Sequence, residues 1–232
     1  MRAKGFPDDS LYVFRKEDGV CWRGDIMVEQ GLNNAMVWGF LRETKEDAAK
    51  AGVDKDTGLC RTGLEEYLKV IYPDVNDWIH DKPIGKREGK YYGNRPDYRS
   101  EKLKIAIEFD GVQHYTSPAN IRKDNQSYEL YASLGYKLIR IPYFIQLSKD
   151  AVKALFGVEV EQELFDEQYP SLGVKGGNTP AYLCHEGVKR MAREFRRFPH
   201  QYEVNAKALH DADDSFMSGV ELLEGEYNKL KE

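Results

Sequence analysis

Residues 103–110, Leu-Lys-Ile-Ala-Ile-Glu-Phe-Asp, constrain this chain more than any other stretch. Their side chains alternate with period two, the signature of a strand. Leu103, Ile105, Ile107 and Phe109 share one face; Lys104, Ala106, Glu108 and Asp110 share the other. Gly111 ends the strand and permits a sharp turn, and Gln113 and His114 follow in the loop. Upstream, Pro96 holds Arg95 extended, so Asp97 opens a neighbouring strand. The short link Arg99-Ser100-Glu101-Lys102 then closes a hairpin that lays Asp97 beside Glu108 and Asp110. Three carboxylates this close repel one another without a cation. Oxygen donors select a hard one, Mg²⁺ or Mn²⁺. A histidine beside them exchanges protons near neutral pH, and the set suits a metal-activated water attacking a phosphodiester.

The flanking sequence supplies the architecture. Residues 63–72 form an amphipathic helix stopped by Pro73, and residues 78–84 and 91–98 read as strands. Residues 121–134 form a helix with Asp124 at its start and Gly135 as its C-terminal glycine. A strand over 136–144 and a helix over 148–156, capped by Ser148, complete the order α-β-β-β-α-β-α. This order predicts an α/β fold with a mixed sheet flanked by helices. Before it, residues 11–28 read as a hairpin turning at Glu17-Asp18-Gly19, 35–50 as a helix and 52–58 as a loop. After it, 157–180 read as a loop with Gly173, Gly176, Gly177 and Pro180, followed by a mainly helical tail. The chain thus divides into an N-terminal hairpin-plus-helix extension (1–58), a core (59–157) and a mostly helical C-terminal extension (158–232).

Over roughly residues 60–157 the pattern resembles the PD-(D/E)xK nuclease superfamily, with its restriction-endonuclease-like core. Pro96-Asp97 matches the first element and Glu108-Phe109-Asp110 the second, with Asp110 in place of the superfamily's lysine. That replacement, with His114 just beyond, is similar to the very-short-patch-repair-like nucleases and related phage homing endonucleases. Glu65, Asp97, Asp110, His114 and Asp124 match that branch's ordered set, and Gly135-Tyr136 leading to Arg140 resembles its closing strand. The resemblance implies a metal-dependent DNA endonuclease acting in restriction, homing or repair nicking. Asp97, Glu108 and Asp110 would hold Mg²⁺ or Mn²⁺. His114 would move protons in place of the lysine, Gln113 would orient water or phosphate, and Glu65 would support the site.

Charge bears on the partner. The net charge is −5, but residues 61–157 carry 16 basic against 13 acidic groups, the only basic third of the chain. Phosphate contact depends on local patches rather than the total. In one patch Lys86, Arg87, Lys90, Arg95 and Arg99 interleave with Tyr91, Tyr92 and Tyr98. In the other, over 187–198, Arg190, Arg193 and Arg197 fall on one helical stripe while Met191, Phe195 and Phe198 face inward. Both patches suit double-stranded DNA, and a homodimer is compatible with the sequence. Each piece has a plain structural alternative. Asp110-Gly111 is an ordinary turn signal, and Asp124 is favourable at any helix start. Thr62-Gly63-Leu64-Glu65 is a capping box, and Glu66 competes with Glu65. Two functional alternatives stand beside the nuclease: a non-cleaving nucleic-acid-binding module with a degenerate site, and a carboxylate-pair glycoside hydrolase. Three widely spaced cysteines predict a reducing cytoplasm, and no apolar run reaches membrane-span length.

Overall fold

The computed structural model describes residues 13–14, 21–22, 64–161, 170–172, 179–211 and 218–230. The expected helix over 35–50, the loop over 52–58, the turn at Glu17-Asp18-Gly19 and residues 162–169 and 173–178 of the expected loop lie outside the described residues. Of the N-terminal hairpin, β1 (Val13–Phe14) pairs antiparallel with β2 (Cys21–Trp22).

Along the core come α1 (Leu64–Ile71), β3 (Trp78–His80), a two-stranded ribbon of β4 (Lys86–Arg87) and β5 (Lys90–Tyr91), then β6 (Tyr98–Ser100) and β7 (Ile105–Asp110). A 3-10 turn (Val112–His114), α2 (Pro118–Ser133), β8 (Lys137–Pro142) and α3 (Lys149–Phe156) follow. Among the described residues three α-helices follow: α4 (His185–Arg197), α5 (Pro199–Asp211) and α6 (Val220–Lys229). The main sheet has the order β3-β6-β7-β8, with β3, β6 and β7 antiparallel and β7 parallel to β8. The architecture is therefore α/β with a mixed sheet, as the element order predicted.

The strand alternation explains the layers. Ile105, Ile107 and Phe109 join Leu64, Leu68 and Ile71 of α1 and Val152 and Leu155 of α3 in the main core. Ala106 points the other way, to Tyr131 of α2 and Ile84. Glu108 and Asp110 share the Ala106 side, which places them under α2. The ends of the helices follow their residues. Ser148 Oγ accepts from Ala151 N at the start of α3, and Gly135 and Gly157 take left-handed φ values of 79° and 75° after α2 and α3. Val188, Met191 and Phe195 of α4 and Tyr227 of α6 belong to the same core as α1, so apolar packing is continuous across residue 157.

Several expected boundaries move for local reasons. The strand expected over 91–98 is instead the end of the ribbon and an irregular segment, because Pro96 offers no N–H to a ladder; pairing resumes at Tyr98. The strand expected over 78–84 stops at His80, where Asp81 adopts φ 46° ahead of Pro83. Arg99 and Ser100 belong to β6, not to the hairpin link; Lys104 turns the chain at φ 54°, so β7 begins at Ile105. Helix α2 starts at Pro118, a residue suited to the first helical position, which places Asp124 inside the helix rather than at its start.

Candidate active site

Antiparallel pairing of β6 with β7 brings Asp97 to Glu108. Tyr98 stands opposite Ile107, and Asp97 Oδ2 accepts a hydrogen bond from Phe109 N at 2.6 Å. Glu108 Oε1 accepts from the Tyr131 hydroxyl of α2 at 2.7 Å. Each carboxylate keeps a second oxygen with no hydrogen bond among the described residues. Burial pushes Asp97 up to about 6, with the Phe109 N–H opposing and the Asp110 charge adding. Burial likewise pushes Glu108 up to about 7, reinforced by the charge of Asp97 and opposed by the Tyr131 hydroxyl and Arg140. These are half-buried acids whose charged forms burial disfavours more than their hydrogen bonds and Arg140 favour them.

Glu108 opens onto a cleft of about 380 Å³ between the loop before β6, the 3-10 turn and α2. His114, Asp124, Arg95, Lys123 and Arg140 also line it. A larger groove beside α5, about 590 Å³, is lined by His200, Lys207, Asp211 and neighbouring residues, with none of the core carboxylates. The smaller cleft is the one where polar groups converge.

A second cluster lies beneath. Asp110 is 0 % exposed. Arg140 Nε donates to both its oxygens at 3.0 and 2.8 Å, Arg140 Nη2 donates to Oδ1 at 2.5 Å, and Arg190 Nη2 donates to Oδ2. Asp124 accepts from Arg190 Nη1 at 2.7 Å and pairs with Arg140 Nη2 at 3.0 Å. His114 Nδ1 lies 2.9 Å from Asp124 Oδ2. An ionised carboxylate only accepts, so Nδ1 carries the hydrogen and Nε2 is left for another partner. Burial disfavours the imidazolium, yet the Asp124 hydrogen bond and the Asp110 charge outweigh it and raise His114 above its ordinary value. Burial alone would raise Asp124, but His114, Arg140 and Arg190 hold it below the usual carboxylate range.

Donor atoms of Asp110, His114 and Asp124 lie within 4.8 Å of one another, close enough to hold a metal ion. Their chemistry argues otherwise: two guanidiniums already balance the two carboxylates. Asp97 and Glu108 have the opposite character, since a divalent cation would supply the charge they lack. The metal set expected from sequence was Asp97, Glu108 and Asp110. The structure brings Asp97 and Glu108 together and ties Asp110 to arginines instead.

Gln113 is exposed, its amide lying over Gly111. Gly111 has φ −66° and ψ 176°, extended backbone open to any residue. A Cβ there would stand 2.8 Å from Gln113 Oε1, the free end of an exposed side chain that can swing aside. Glu65 falls on the first turn of α1; its side chain lies outside the described residues. Lys86, Arg87 and Lys90 are exposed on the β4–β5 ribbon, with Lys86 Nζ 4.3 Å above the Tyr91 ring. Arg95 caps the Asp81 carbonyl and carboxylate at 2.9 and 3.0 Å, and Arg99 is tied to Glu101 at 3.1 Å and to the Lys82 carbonyl at 2.9 Å. Arg193 and Arg197 are exposed on α4. Arg190, expected on the same solvent stripe, turns inward to the acids, and the charge at Asp110 and Asp124 is what draws it there.

Sequence reasoning gave no chemical role to Arg140, Arg190 or Tyr131 in this site. A signal existed for Arg140: a lone cation within the apolar run 138–145 must find an acid when buried. No known family model, curated protein or solved structure matches this chain.

Proposed function

We propose that the chain is a divalent-metal-dependent endodeoxyribonuclease built on a restriction-endonuclease-like core. One observation carries the reading: β6–β7 pairing sets Asp97 beside Glu108, which opens onto a cleft lined by Arg95, Lys123 and Arg140, and burial, reinforced by neighbouring carboxylate charge, pushes both acids toward neutrality. Acids in that state suit Mg²⁺ or Mn²⁺, which when bound would activate water and offset charge on a scissile phosphate. Asp97 and Glu108 would be its protein ligands.

The other residues take roles from their own geometry. His114 presents Nε2 as a proton donor or acceptor while Asp124 fixes the ring, the arrangement that lets a histidine act as general acid or base. Arg95 and Lys123 offer positive charge to phosphate oxygens at the cleft wall. The β4–β5 ribbon, with Lys86, Arg87 and Lys90, supplies phosphate contacts beyond the cleft. Asp110 orients Arg140 instead of binding metal.

The test is a plasmid-nicking assay in Mg²⁺ or Mn²⁺ with wild type, Asp97→Ala, Glu108→Gln and an EDTA control, with RNA as a parallel substrate. The proposal expects DNA cleavage that vanishes with either substitution and with chelation. Cleavage that survives EDTA would overturn it, as would no cleavage of varied DNA substrates by a wild-type protein that still binds them.

A further inference from the structure

We infer that Arg190, supplied by α4 from outside the β-α-β unit, is the positioning residue that holds Asp124 and, through it, His114. The active site is then complete only when α4 is docked. The inference rests on the nuclease reading for the consequence in turnover, though its structural half stands independently.

The guanidinium of Arg190 is a clamp with named contacts. Nη1 donates to Asp124 Oδ2 at 2.7 Å and to the His114 carbonyl at 3.3 Å, and Nη2 donates to Asp110 Oδ2. Its carbon lies 4.7 Å above the Tyr115 ring, so the planar group is fixed by stacking as well as by hydrogen bonds. Asp124 Oδ2 is also the oxygen that His114 Nδ1 approaches at 2.9 Å. The imidazole and Arg190 thus meet at one oxygen of that carboxylate, while Arg140 Nη2 lies 3.0 Å from the other. A carboxylate that orients a histidine sets which ring nitrogen faces the reactants.

The backbone enforces the placement. At Gly187 a Cβ would stand 1.8 Å from the Tyr115 carbonyl oxygen, so only glycine allows the first turn of α4 to meet the His114 turn backbone to backbone. The same carbonyl accepts from Cys184 N at 3.2 Å and from Cys184 Sγ at 3.3 Å, and that sulfur in turn accepts from Gly187 N at 3.3 Å. The turn carrying His114 is therefore gripped at Tyr115 by the start of α4 and at the His114 carbonyl by Arg190, one turn further along α4, which also holds Asp124 of α2. Arg140 shares the task from β8, pairing with Asp124 Oδ1 at 3.0 Å while bound to Asp110 and Ser127, so Arg190 is the cation that α4 adds to a carboxylate the sheet holds from one side only.

A purely structural ion pair would stabilise the fold and leave the chemistry of the folded fraction alone. Four readouts separate the cases: kcat against KM, DNA affinity, rescue by free guanidinium, and the His114 Nδ1–H resonance in ¹⁵N-histidine protein, assigned by its loss in His114→Gln. In Arg190→Ala the inference expects kcat to fall about 10–100-fold with KM and DNA Kd nearly unchanged. It also expects partial recovery with added guanidinium but not with sodium at equal ionic strength, and loss of the slowly exchanging Nδ1–H signal. Arg190→Lys keeps a cation but not the fork, so it should remain folded and show the same kcat loss if Arg190→Ala does not fold. An unchanged Nδ1–H signal in both variants would overturn the inference. So would wild-type kcat in the folded protein; cleavage by wild type would then leave the nuclease reading intact. Conversely, wild type that cuts no DNA while the Nδ1–H signal depends on Arg190 would sink the nuclease reading and support the clamp.

Discussion

Stability should fall as the pH rises from about 5 to about 8 in the absence of divalent metal, and Asp97 and Glu108 are the cause. Asp97 is raised from 3.8 to about 6 and Glu108 from 4.5 to about 7. An acid with a native pKa above its unfolded one binds the extra proton in the native state, so the native state is favoured at low pH and loses ground as that proton leaves. The loss begins above pH ~4, where the unfolded acids ionise, and is complete above pH ~7. One pH unit of elevation corresponds to about 1.4 kcal/mol. From 3.8 to about 6 and from 4.5 to about 7, the two elevations together would sum to about 6 kcal/mol, but part of the Glu108 elevation is the charge of Asp97, so the two do not add independently, and both groups keep some contact with water. About 3 kcal/mol for the pair is the reasonable magnitude. In a chain of 232 residues that is a fall in Tm of roughly 6–12 °C. His114, also raised, adds in the same direction. Calorimetric scans of wild type and Glu108→Gln at pH 5 and pH 8, each with EDTA or with Mg²⁺, would measure this. Wild type should lose Tm toward pH 8 and regain it with Mg²⁺ only at the higher pH, where metal no longer competes with protons. Glu108→Gln should flatten both dependences. A wild-type Tm that rises with pH, or a Mg²⁺ effect equal at both pH values, would refute the reasoning.

Three further outcomes follow from single contacts. Arg140→Met strands buried Asp110 with one cation fewer and should cost about 3–5 kcal/mol in urea unfolding. Gly187→Ala drives a methyl into the Tyr115 carbonyl and should cost at least about 3 kcal/mol, whereas Gly225→Ala, mid-helix in α6 with nothing within 4 Å, should be neutral or stabilising by up to ~1 kcal/mol in the same assay. Tyr131→Phe removes a hydrogen bond that favours ionised Glu108, so the acidic limb of the pH–rate profile should move to higher pH; an unmoved or acid-shifted limb would separate Glu108 ionisation from turnover.

Much of the core was legible because its information is local. The period-two run ending at Asp110 identified β7 and its two faces. Leu64, Tyr67, Leu68 and Ile71 marked α1 by their helical spacing, and Ser148 and Gly157 bracketed α3. The juxtaposition of Asp97 with Glu108 was also local, needing only a short turn between two strands. Asp110 was read as a metal ligand because alternation places it on the Glu108 face. What alternation cannot reveal is that Arg140 and Arg190 reach it from 30 and 80 residues away. Arg190 was harder still: on a helical wheel it groups with Arg193 and Arg197, and the acids that draw it inward belong to other elements. The strand expected over 91–98 is broken at Gly93, which has no side chain to pack, and at Pro96, which cannot donate to a ladder.

Mn²⁺ binding, followed by the loss of free-ion signal in electron paramagnetic resonance, tests the central claim that the metal centre is Asp97–Glu108 and not the arginine-bound trio. Wild type and His114→Gln should bind the ion, and Glu108→Gln should not. Binding retained in Glu108→Gln and lost in His114→Gln would contradict the account.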